Sequence, residues 1–288
     1  MRTDEGIGAA WPSDLAGLAA QAADLIDQAD AIVVAAGAGM GVDSGLPDFR
    51  GTQGFWQAYP ALAKARLDFP SIASPTTFAR DPGLAWGFYG HRLALYRATI
   101  PHEGFRILRE LGARTPLGLG VFTSNVDGQF QRAGFDPARV QECHGSIHHL
   151  QCMRLCREET WSADGFEPEV DEATCTLRGD PPLCPRCGAL ARPNLLMFGD
   201  RDWIEARSKA QENALNAWLS RCERPVVVEI GAGTAIPSVR LFTHSVVLNH
   251  GGRVVRVNPR DCAVPSRHDV GMPFGAAEAL RAIQACLG

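Results

Sequence analysis

The sequence predicts an α/β fold: a Rossmann-like parallel sheet with helices on both faces, plus a small zinc-ribbon module and a helical insertion. Three observations carry this expectation. Short apolar runs ending in glycine or asparagine turns alternate with segments of helical periodicity. Four cysteines stand in two close pairs. An aromatic-rich stretch breaks the alternation between the first and second strand candidates.

Composition bounds the answer before any element is placed. The chain has 288 residues, 45% apolar and 21% charged, which is the make-up of a folded globular protein. No run approaches the roughly 20 apolar residues of a membrane helix, so no membrane partner is expected. Asp4 and Glu5 stand where a secretory leader would carry basic and then apolar residues, so a cytoplasmic protein is expected. A net charge of -4 supplies no basic field, so nucleic acid is not an expected partner. Nine cysteines is an odd number that argues against a closed disulfide framework and toward metal.

The elements follow in order. From Leu15 to Asp30 apolar residues recur at helical spacing. Ala31 to Ala36 is a short apolar run that reads as a buried strand entering a glycine turn. Residues 55–110, rich in Trp and Tyr, read as a helical insertion. Leu117 to Thr123 is the next strand candidate, closing on Ser124 and Asn125. Residues 149–191 have weak periodicity and cysteines near both ends, so a metal is expected to substitute for a core there. Pro225 to Ile230 repeats the strand-to-glycine grammar, and Arg253 to Asn258 ends on Asn258-Pro259. The Rossmann-like domain is thus expected in three parts, 1–54, 111–148 and 192–288.

The glycines after the first strand, in Gly37-Ala38-Gly39-Met40-Gly41, let a backbone approach a pyrophosphate. Val42 stands where a third fingerprint glycine would be, so the dehydrogenase pattern fails, and a tight turn without ligand stays open. Cys184-Pro185-Arg186-Cys187 is a zinc knuckle, and Cys152 with Cys156 would complete a closed tetrahedral thiolate site. A mixed set drawing on His149 or Cys175 is an alternative.

Ser44-Gly45-Leu46-Pro47-Asp48-Phe49-Arg50 is not generic α/β grammar. Together with Thr123 to Gly128, Arg132-Ala133-Gly134, His144-Gly145-Ser146, the cysteine pairs, Arg192 to Asp200 and Asn258, it resembles the sirtuin family of NAD-dependent protein deacylases. The resemblance runs in family order from about residue 31 to 275. It implies an NAD-dependent lysine deacylase that releases nicotinamide and O-acyl-ADP-ribose, with an acyl-lysine protein or peptide as partner and structural zinc; a monomer is expected, with an oligomer left open. ADP-ribosyl transfer or NAD hydrolysis on the same scaffold is the alternative.

The resemblance also implies roles. His144 is the general base acting on the ribose, with Asn125 and Asp127 in the nicotinamide pocket. Gly37, Ala38, Gly39, Asp48, Phe49, Arg50, Ser124, Gly231, Ala232, Gly233 and Asn258 line the dinucleotide, and Leu196, Met197 and Phe198 border an acyl tunnel. Tyr89, Arg92, Tyr96 and Arg97 are candidates for a Tyr/Arg pair that selects acidic acyl chains. The chain departs from the pattern at Ser124, where a glutamine is usual, at Gln129-Phe130, at Gly41, and at Gly231-Ala232-Gly233, where Thr234 is displaced.

Overall fold

The computed structural model describes residues 13–48 and 51–288. The run Ala31–Ala36 forms the central strand, β1, and is buried along its whole length. Its alternate positions feed two different cores. Ile32, Val34 and Ala36 face one helical layer, and Ala31, Val33 and Ala35 face the other. A strand covered on both sides needs apolar residues throughout, so no polar alternation marks it in the sequence.

Ten further strands follow among the described residues: β2 (Leu119–Thr123), β3 (Val140–Glu142), β4 (Gly145–Cys152), β5 (Trp161–Ser162), β6 (Glu169–Asp171), β7 (Thr176–Arg178), β8 (Ala191–Leu195), β9 (Pro225–Ile230), β10 (Arg253–Val257) and β11 (Val270–Met272). Six strands make one parallel sheet in the order β11-β10-β9-β1-β2-β3. This is the doubly wound order, and its direction reverses between β1 and β9. A crevice opens at such a reversal, outside the carboxyl ends of the strands.

Helices Ser13–Asp27, Glu103–Ala113 and Ala276–Cys286 cover one face of the sheet through Leu15, Ala19, Phe105, Leu108, Ala279 and Ile283. Helices Ala206–Leu219 and Ser238–His250 cover the other through Leu215, Trp218, Val239 and Val246. Helix Glu103–Ala113 falls within the aromatic-rich stretch by sequence, yet its apolar face packs on the main sheet. Among the described residues no helix is long and apolar enough to cross a membrane.

The rest of the aromatic-rich stretch and the cysteine-bearing segment share a second core. Phe55, Phe78, Trp86, Phe88 and Tyr89 pack with Ile147 and Leu150 of β4 and Leu195 of β8. The Trp86 indole Nε1 donates to the Ala191 carbonyl at 3.0 Å, joining helix Pro82–Ala98 to β8. Gly87 and Gly90, one turn apart on that helix, meet the β6–β7 hairpin. A Cβ at Gly87 would lie 2.0 Å from the Cys175 carbonyl oxygen. Two segments that look unrelated in sequence therefore fold as one lobe, because neither has enough apolar surface to cover itself.

Two glycine turns meet at the sheet reversal. Gly231 has φ of 62°, and a Cβ there would stand 2.4 Å from the Gly39 Cα. Gly231→Ala is expected to cost on the order of 3 kcal/mol through left-handed strain and this backbone collision. Urea unfolding of the variant against the parent chain measures it.

Candidate active site

The exits of β1, β2, β3 and β9 meet at the reversal. Gly37 ends β1 and caps the short 3-10 helix Ala38–Ser44. Its N–H donates to the Ile230 carbonyl at 2.9 Å, and the Gly39 N–H donates to the Gly231 carbonyl at 3.1 Å. A Cβ on Gly39 would lie 2.6 Å from the Gly231 Cα. The two glycine turns are in backbone contact, and no side chain fits between them. The arrangement leaves an uncluttered cradle at the crevice, with Ala38 exposed and Gly39 half-buried, which suits an anionic dinucleotide backbone.

The opposite turn is held from behind. The Ala232 carbonyl accepts from the Asn258 Nδ2 at 2.9 Å and from the Arg240 Nη2 at 3.2 Å. The Asn258 Oδ1 accepts the N–H groups of Arg260 and Asp261. Asn258 thus uses both ends of its buried amide on the protein. Gly233 and Thr234 are exposed beyond it.

Asn125 is tied to the first turn. Thr123 Oγ1 donates to the Ala36 carbonyl at 3.0 Å and accepts the Asn125 N–H at 3.0 Å. The Asn125 Nδ2 then donates to the Gly37 carbonyl at 3.0 Å, so its carboxamide is fixed at the crevice. Asp127 is buried, and its Oδ1 accepts the Gln129 N–H at 2.9 Å in an Asx turn. Loss of water pushes its carboxyl up to about 6, with the Arg92 guanidinium acting in the opposite direction.

His144 follows β3, whose pairing with β2 carries on as the Cys143 N–H donates to the Thr123 carbonyl at 3.0 Å. Its Nε2 lies 3.2 Å from the Ser238 Oγ. Burial holds this imidazole below its ordinary value, while a hydrogen bond at the Ser124 backbone pulls the other way. A base in that state is unprotonated at neutral pH and free to take a proton.

The second lobe flanks the same crevice. The Ile147 N–H donates to the Val126 carbonyl at 3.0 Å, and the His148 Nε2 is 2.9 Å from the Asp127 carbonyl oxygen. Leu196 and Phe198 are exposed, whereas Met197 is buried in the second core. Arg92 is buried and donates to the Tyr96 hydroxyl from Nε at 2.9 Å and from Nη2 at 2.6 Å. Its guanidinium stands between 5.3 and 5.9 Å from the rings of Phe69, Phe88, Tyr89 and Tyr96.

The four cysteines Cys152, Cys156, Cys184 and Cys187 converge, with all sulfurs within 4.8 Å of one another. Cys152 and Cys187, and Cys156 and Cys184, are each 3.6 Å apart. A disulfide would need about 2.0 Å. Thiolates around tetrahedral zinc stand about 3.8 Å apart, so this set fits the ion. Cys175 lies in the second core and His149 outside the cluster, so the mixed ligand sets are not what the fold assembles. Three residues separate Cys152 from Cys156, against two between Cys184 and Cys187, and the longer knuckle is accommodated at Leu155, which takes φ of 51°.

The Sir2 family model matches residues 37–232. An NAD-dependent protein deacylase of Aquifex aeolicus is 31% identical over 253 residues, covering 88% of this chain and 93% of the relative. The chain belongs to the Sir2 family. An NAD-dependent protein deacylase of Pseudomonas aeruginosa is 33% identical, covering 85% of this chain and 88% of that one. A solved Sir2 homologue in complex with NAD superposes with a TM-score of 0.68 at 24% identity, covering 93% and 94% of the two chains.

In this Sir2 chain the fold gathers Gly37, Ala38, Gly39, Ser124, Asn125, Asp127, His144, Gly231 and Ala232 at one crevice. Phe49 and Arg50 lie outside the described residues. Asp48 is half-buried just beyond the 3-10 helix. Sequence reasoning missed Ser238, which stands against His144, and His148, which holds the Asp127 backbone. No local pattern could have found Ser238, because it lies 94 residues from His144.

Two outcomes follow. A folded-state carboxyl raised to about 6 destabilises the chain as pH rises from its unfolded value through 6, and the effect is complete above that. Asp127→Asn is therefore expected to stabilise the chain by on the order of 2 kcal/mol near neutral pH and by little near pH 4. Thermal unfolding at both pH values measures it. Leu155→Gly removes left-handed strain from an exposed position. It should retain zinc stoichiometry and gain roughly 1 kcal/mol, read by metal analysis and denaturant unfolding.

Proposed function

We propose that this chain is an NAD-dependent protein lysine deacylase, with an acyl-lysine protein or peptide as second substrate. The observation that carries this reading is that the Asn125 carboxamide and the His144 imidazole are fastened to the exits of adjacent strands at the sheet reversal. The curated relatives named NAD-dependent protein deacylases support it further.

NAD when bound supplies a nicotinamide–ribose bond whose cleavage leaves an electrophilic sugar carbon. The turns of Gly37, Ala38 and Gly39 and of Gly231 and Ala232 would leave its phosphates a cradle clear of large side chains. Asn125, oriented by its bond to the Gly37 carbonyl, would hold a carboxamide together with Asp127. His144, kept neutral by burial, would take a proton from a sugar hydroxyl at its Nε2 and return it later. Ser238 can give way there, since a single hydroxyl contact at 3.2 Å is a weak competitor. Zinc would hold the β4 end and the β7–β8 loop together, with every ligand position filled by cysteine and no place for substrate.

The net charge of -4 supports a protein rather than a nucleic-acid substrate. All nine cysteines are unbridged, which supports a reducing compartment such as the cytoplasm. Arg92, buried among aromatic rings beside Asp127, is the cation that an acidic acyl chain would meet.

Ser124, short where the family's glutamine would reach the ribose, is the one observation favouring ADP-ribosyl transfer or NAD hydrolysis. One experiment separates the readings. Mass spectrometry of products from NAD with acetyl-, butyryl- and succinyl-lysine peptides should give equal amounts of nicotinamide and O-acyl-ADP-ribose. Free ADP-ribose beside untouched acyl-lysine would overturn deacylation. His144→Ala should lower kcat by at least about 100-fold.

A further inference from the structure

His102 has no part in the chemistry above, yet it is the most heavily engaged histidine outside it. It caps helix Glu103–Ala113, and the Gly104 N–H donates to its Nδ1 at 3.1 Å. An N–H can only donate, so Nδ1 carries a lone pair and the ring proton sits on Nε2. That Nε2 donates to the Met40 carbonyl at 3.0 Å. The His102 backbone N–H donates to the Ser44 Oγ at 2.9 Å. Both contacts fall on the 3-10 helix Ala38–Ser44, the segment that carries the first glycine turn.

The surroundings are built around the ring. A Cβ at Gly104 would lie 2.5 Å from the His102 Cε1 and 2.9 Å from its Nδ1. The ring also meets Phe105 edge-on, with centroids 5.1 Å apart. The same 3-10 helix is braced once more, where the Asp43 Oδ2 accepts the Ala277 N–H at 2.7 Å.

We propose that His102, in its Nε2-protonated neutral tautomer, is a positioning residue that locks the 38–44 turn for the dinucleotide. It touches no reacting atom and acts through Met40 and Ser44. A second proton would have to sit on Nδ1, where it would face the Gly104 N–H, and the lock would open. The charged groups around it are Asp43 on the turn, Glu103 on its own helix, and Arg281 on the last helix, which pairs with Glu103 at 3.2 Å. Burial outweighs both carboxylates and keeps the ring neutral, so the lock is closed at neutral pH.

The inference deepens the NAD-dependent reading, so its test has an arm that needs no NAD. Two variants open the lock from opposite sides. His102→Asn keeps the cap on Gly104 but cannot reach Met40, and Gly104→Ala drives the ring out. Hydrogen exchange on the ligand-free full chain should show amides of residues 39–45 exchanging about ten-fold faster in both, with β1 and β9 unchanged. Protection of the wild-type turn, corrected for the intrinsic exchange rate, should fall once pH drops below the ordinary imidazole range, and that of His102→Asn should not respond. In turnover, the KM for NAD should rise about five- to ten-fold, while kcat and the KM for peptide stay within about two-fold. Unchanged exchange at 39–45 in both variants overturns the proposal. A loosened turn with an unaltered KM for NAD overturns it as well. A wild-type chain that consumes no NAD would sink the deacylase reading alone, and the exchange arm would still decide the lock.

Discussion

Backbone contact between the turns at Gly39 and Gly231 is the constraint on which the rest of this structure depends. Bringing two main chains that close requires three glycines, because any Cβ at 37, 39 or 231 would overlap the opposing turn. The contact closes the gap between β1 and β9 at their carboxyl ends and sets the floor of the crevice. Asn125 is hung on one turn through the Gly37 carbonyl, and Asn258 with Arg240 pins the other through Ala232. The site is therefore built from outward ties on one rigid contact.

A site made this way tolerates changes in individual contacts. The chain lacks side-chain hydroxyls at Gly41 and Ala232, yet the cradle is made by backbone and keeps its shape. Polar groups a layer behind the crevice take up the work of fixing it. His102, Asp43, Arg240 and Asn258 all bond to main-chain atoms of the two turns or of the helices that brace them. Burial then tunes the groups that face the crevice, raising Asp127 and lowering His144, so a carboxyl and an imidazole approach one another in proton affinity.

The second lobe solves a different problem. Helix Pro82–Ala98 and the cysteine-bearing strands each carry too little apolar surface to fold alone, and they cover one another through Trp86, Phe88, Ile147 and Leu195. Four cysteines complete the module at the far end of β4. A strained Leu155 is the cost of one extra residue between Cys152 and Cys156, and it falls on an exposed knuckle where strain disturbs no packing.

Much of this was legible in the sequence alone. Ala31–Ala36 and Pro225–Ile230 read as strands because burial on both faces demands unbroken apolar residues. The glycine turns, the four cysteines and the His144 motif read because each needs a particular residue type at a particular place. Short β3, β5, β6, β7 and β11 did not read, since two or three residues cannot display a period. The pairing of His102 with Met40, of Ser238 with His144, and of the insertion with the zinc module was decided only by the tertiary structure. Those contacts join residues dozens of positions apart, and their energy depends on which surfaces meet, a property no local stretch of sequence carries.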